Sequence, residues 1–154
     1  MARPARTTTA VLTLFAAIVA LTSCSLFSPG PPRDADGDVT EPTVTGTQYL
    51  FVDDCFSFTS DVAKVEVTPC ASDHTHVVIG QGTLTTAEVD AGGGLQNAVS
   101  AACAEPFAAF KEAVLAEGGT RPEQEFIVAK REVDGVEVSA YSCVATDAPV
   151  TAAG

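Results

Sequence analysis

"AKVEVTPCASDHTHVVIGQGTL", residues 63–84, decides the fold. Val65 and Val67 alternate with Lys64 and Glu66, the period-two pattern of a strand with one buried face, and Pro69 has no N–H to give to a ladder and stops it. Residues 74–84 form a second β-prone run. Upstream, "TQYLFVDDCF" at 47–56 mixes β-branched and aromatic residues behind Gly46 and reads as a further strand.

Downstream the period changes. Thr85 and Glu88 have capping-box spacing for a short helical turn, which Gly92, Gly93 and Gly94 break. Leu95, Val99, Ala102, Cys103, Phe107, Phe110 and Val114 then recur every three or four residues, the stripe of an amphipathic helix. Pro106 lies inside the stripe and should kink or restart it, and Gly118 and Gly119 end it. The final run, "EFIVAKREVDGVEVSAYSCVAT", is a hairpin through Asp134 and Gly135. A two-residue turn would set Glu132 opposite Glu137, which like charges disfavour, so a longer turn or a bulge stays open. Together these elements predict a small α+β domain over residues 47–146: an antiparallel sheet of about five strands packed by one kinked amphipathic helix.

Residues 1–46 have another character. Arg3 and Arg6 precede an uncharged stretch containing "AVLTLFAAIVALTS", the charged-then-apolar order of an export signal and shorter than a membrane span. It ends in Leu21, Thr22, Ser23 and Cys24, which resemble a bacterial lipobox: residues 1–23 would be removed and Cys24 would carry lipid. Residues 24–46 hold Pro29, Pro31, Pro32 and Pro42 among acids and read as an extended tether, and residues 147–154 as a disordered tail. Asp34, Asp36 and Asp38 alternate as in a calcium loop, but Val39 and Thr45 stand where that loop needs glycine and glutamate. The expected location is the extracytoplasmic face of a cell membrane.

Charge narrows the partners. The chain has a formal net charge of −12, and removal of residues 1–23 would make it −14. No basic stripe serves nucleic acid, and anionic headgroups would repel the domain. The membrane is therefore met through lipid on Cys24, and the other partner is an envelope protein or the cell wall.

Without Cys24 the cysteines are an even set: Cys55, Cys70, Cys103 and Cys143. Exported chains pair such sets, and four allow three connectivities. The one that crosses least joins Cys55 to Cys70 between neighbouring strands and Cys103 to Cys143 between helix and last strand.

"DCF" at 54–56, "VTPCASDH" at 67–74, "AACAEPFAAF" at 101–110 and the late Cys143 resemble the septum-formation-related extracytoplasmic domain of actinobacterial lipoproteins and membrane proteins, over about residues 51–144. The resemblance implies an envelope role linked to division or surface assembly, not a reaction. The chain departs from that pattern at Asp53, where glycine is usual, at His76 and Val77, where glutamate is frequent, and in lacking tryptophan.

Two histidines raise a metal question. On one strand His74 and His76 would share a face about 7 Å apart, a spacing that suits zinc or copper. Two ligands do not make a site, and Cys70 is committed to a disulfide, so the metal reading is the alternative to a binding module. Asp53 and Asp54, adjacent on a strand, would point to opposite faces and read as solvated strand-end carboxylates. No nucleophile elbow, zinc-protease or phosphate-loop motif occurs, so neither catalysis nor a cofactor is expected.

Overall fold

The structure, a computed structural model, describes residues 30–146. The predicted signal at 1–23, the lipidation site Cys24 and the tail at 147–154 lie outside the described residues. β1 (Thr43–Gly46), β2 (Cys55–Phe58), β3 (Lys64–Thr68), β4 (His76–Thr85), β5 (Gln124–Val133) and β6 (Val136–Thr146) form one antiparallel sheet in the order β1-β3-β2-β4-β6-β5. It has six strands rather than about five. The added strand is β1, in the part of the chain read as tether.

The stretch at 63–84 folds as its alternation requires. Val65 and Val67 are fully buried while Lys64 and Glu66 face solvent. Phe56 on β2 lies opposite Val67, and Val78 on β4 lies opposite Val144 on β6, so one sheet face collects Phe56, Val65, Val67, Val78 and Val144. Val39 and Leu50, from the segment preceding β2, cap this cluster.

The other face carries the helices α1 (Thr86–Ala91), α2 (Leu95–Ala102) and α3 (Ala104–Ala116). Thr85 and Glu88 close the predicted capping box, each accepting the other's backbone N–H, and the Thr85 N–H and hydroxyl, both donating to the Glu88 carboxylate, hold it below its usual pKa. The expected single kinked helix is two helices meeting at Cys103. Pro106 falls in the first turn of α3, where a missing N–H breaks no bond within the helix. Its ring packs on Gly80 of β4, so closely that a Cβ there would lie 3.3 Å from the Pro106 Cγ. Val99 and Cys103 bury against Cys143, with Phe126, Val128 and Tyr141 around them.

Both disulfides follow the predicted pairing, Cys55 with Cys70 and Cys103 with Cys143. The β5–β6 hairpin turns through two residues, with Asp134 at φ 52° and Gly135 at φ 79°, which is type I′ geometry. Glu132 does sit opposite Glu137. The tight turn survives because Lys130 Nζ donates to Glu137 at 2.7 Å and both glutamates are solvated.

Two expectations fail near the N-terminus. Residues 47–56 are not one strand: a 3-10 turn at Thr47–Tyr49 and an irregular bend precede β2. Nor are residues 24–46 a free tether throughout. From Gly30 onward the chain packs on the domain: Arg33 bridges to Val39, Pro31 and Val39 are buried, and β1 pairs with β3 from Thr43↔Val67 to Gly46↔Lys64.

Candidate functional site

The buried carboxylate of Asp54 causes both departures. It is 3% exposed, accepts bonds from the two terminal nitrogens of Arg33 at 2.8 and 2.7 Å, and also accepts the Phe51 N–H at 2.7 Å. Bidentate guanidinium–carboxylate geometry is the strong form of this bond, and it fastens the N-terminal segment to the sheet. The same carboxylate bends residues 51–54, where Asp53 adopts φ 71°. Asp54 is therefore not the solvated strand-end acid its sequence position suggested.

Beyond this anchor the helix-free face of β4, β6 and β5 is open. A groove of about 310 Å³ runs there between the 3-10 turn and β5. Ala129 and Ala140 lie opposite each other and keep its floor low, while Ile127 and Leu50 give it an apolar end. Gln81 Nε2 donates to the Leu50 carbonyl at 2.8 Å and the Ser142 hydroxyl at 2.9 Å, tying one wall to the floor. Arg131 reaches over to the Gln48 carbonyl at 2.9 Å and is the one charged side chain among the lining residues. Apolar contact, hydrogen bonds and a single cation suit a surface that holds a partner. A second cleft, about 300 Å³, lies beside Arg33, Asp54 and the Cys55–Cys70 bridge. The Thr68 hydroxyl at its border is buried with no hydrogen-bond partner among the described residues.

The histidines fall apart as a pair. β4 begins at His76, so His74 precedes the strand, and its Nδ1 lies 2.7 Å from the Ser72 carbonyl. His76 sits between the Phe56 ring, 5.4 Å away and stacked, and the Phe58 ring, 4.8 Å away and edge-on. Its Nδ1 meets the Thr75 hydroxyl at 2.7 Å and its Nε2 lies 3.6 Å from Glu125. Burial lowers its pKa from 6.5, and the Glu125 carboxylate offsets part of that shift. Among the described residues no three His, Cys, Asp or Glu side chains converge as metal ligands. Cys70 is bonded to Cys55.

Sequence reasoning placed the cysteines and missed the groove and the Arg33–Asp54 pair. The pair spans 21 positions, and the Gln81–Ser142 bond spans 61, so no local pattern contains either. One signal was readable: Arg33 is the only basic residue in 24–46. Among the described residues no helix is long and apolar enough to cross a membrane. No protein-family model, curated protein or solved structure matches this chain.

Proposed function

We propose that this chain is a lipid-anchored binding or assembly module of the cell envelope, working on the extracytoplasmic face, with a role in septum formation or division as the finer form of that reading. It performs no catalysis. The groove against β5 supports the binding role: it offers a preformed, solvent-open surface with an alanine floor and one guanidinium. The closed cysteine pairs fit an oxidising compartment, where exported proteins keep their disulfides.

Proximity labelling from the full-length protein in its own cell tests the reading. Envelope proteins are expected among the labelled partners, and fewer of them when Ala129→Trp fills the groove. A partner set without envelope proteins overturns the proposal. Substitution of Cys24 by Ala should move the protein from the membrane to the soluble fraction, and retention at the membrane would refute the anchor.

A further inference from the structure

We infer that in the anchored protein the tip at residues 51–52 rests on the lipid surface, with Phe51 and Val52 in the headgroup region. The inference rests on the lipid anchor at Cys24 proposed above and adds to it an orientation and a contact surface.

Reach sets the first constraint. A free chain from Cys24 to Gly46 would let the domain range about 75 Å from its anchor, at 3.3–3.6 Å per extended residue. The packing of residues 30–46 removes most of that freedom. Gly30 lies six residue steps beyond Cys24, and fully extended those steps span about 20 Å. The domain is thus held close to the bilayer, and the side from which the leash emerges must face it.

That side carries an exposed apolar tip. Gly30 lies against Tyr49, whose Cβ is 3.9 Å from where a Cβ on Gly30 would stand. Arg33, three residues further on, holds its guanidinium 4.7 Å above the Phe51 ring. Phe51 is 56% exposed and Val52 45% exposed, so both offer apolar surface to whatever the leash brings near. The tip is presented firmly: Asp54 grips the Phe51 N–H, and Asp53 N–H donates to the Val78 carbonyl at 2.8 Å. Aromatic and apolar side chains beside a cation suit the interfacial region of a bilayer.

Net charge opposes the contact, and the local arrangement softens the opposition. Arg33 matches Asp54, and the Asp34 carboxylate accepts the N–H groups of Asp36 and Asp38 within its own loop. Asp34, Asp36, Asp38 and Asp53 remain exposed. Their repulsion from anionic headgroups falls off over a screening length of about 8 Å at physiological salt. The tethered tip needs only weak affinity, because a short leash sets an effective concentration of about millimolar.

The chain contains no tryptophan, so Phe51→Trp supplies a single fluorophore. The lipidated full-length protein is reconstituted in phosphatidylcholine vesicles whose acyl chains carry bromine, a short-range quencher. Quenching at least about twofold greater for Phe51→Trp than for Leu115→Trp, on α3 across the sheet, is expected from a tip buried 5–10 Å into the interface. Equal quenching of the two variants overturns the inference and leaves the anchor intact. Intact mass of the same samples separates the two readings, since a protein without added acyl mass refutes the anchor and the inference together.

Discussion

The two halves of the sheet are closed by different means. On β4, β6 and β5, three helices cover one face, and the junction of α2 and α3 is bolted to the last strand by a buried bridge between Cys103 and Cys143, both within 1% of full burial. On β1, β3 and β2 the opposite face is covered instead by irregular chain, from which Val39 and Leu50 reach into the core. The bridge in that half, Cys55 to Cys70, ends on an exposed cysteine. A helix layer brings its own hydrogen bonds, whereas irregular chain must borrow partners from the sheet. That is why a buried ion pair occurs in the second half and a capping box suffices in the first.

Removing each fastening tests the contrast. Replacing Cys103 and Cys143 together by alanine should cost about 4 kcal/mol, since the closed loop spans 40 residues, against about 3 kcal/mol for the 15-residue loop of Cys55 and Cys70. Denaturant unfolding of the two double variants gives the order, and a larger loss for the shorter loop would break the comparison. Arg33→Ala should come next, at about 3 kcal/mol, because it strands the Asp54 charge in a buried site. Hydrogen exchange should then show protection lost across residues 30–46 and kept in α2 and α3. Equal loss in both would mean that the halves are not independently fastened.

Smaller effects sharpen the picture within each half. Thr85→Ala removes the capping box of α1 and should cost about 1 kcal/mol by thermal or chemical unfolding, with the N-terminal half unaffected. Smallest is the titration of His76. Its pKa is lowered by burial, so the unfolded chain binds the proton more readily; stability is full above pH 6.5 and declines as pH falls towards the folded-state value. Glu125→Gln removes the one influence that raises this pKa and should lower it further. A proton NMR titration of the imidazole reads the direction, and an upward shift would contradict the geometry.

Much of the helix-covered half was legible because its signals are local. Thr85 and Glu88 are three residues apart, Asp134 and Gly135 are adjacent, and the stripe from Leu95 to Val114 repeats within each turn. The break of that stripe at Cys103 was less so. Pro106 announced a discontinuity, but where it falls follows from the bridge to Cys143 and from the fit of the proline ring over Gly80. In the other half, proline and aspartate content made residues 30–46 look unable to bury surface. From Gly30 onward the segment nonetheless belongs to the fold, because a few long-range contacts, at Val39 and Arg33 above all, fasten a stretch that has little core of its own.

By itself the sequence determined the α+β class, the alternation that sets the buried face of β3, the capping box, the final hairpin and a chemically sensible cysteine pairing, because each depends on neighbours within a few residues or on a short list of cysteines. Only the tertiary structure decided that the N-terminal segment belongs to the fold, that Asp54 is buried, that His74 and His76 do not share a strand, and that an open groove lies against β5. Each of these depends on groups far apart in the chain meeting where water is excluded. There a charge must find its partner and a polar chain must find its hydrogen bonds, and no local pattern states which ones they will be.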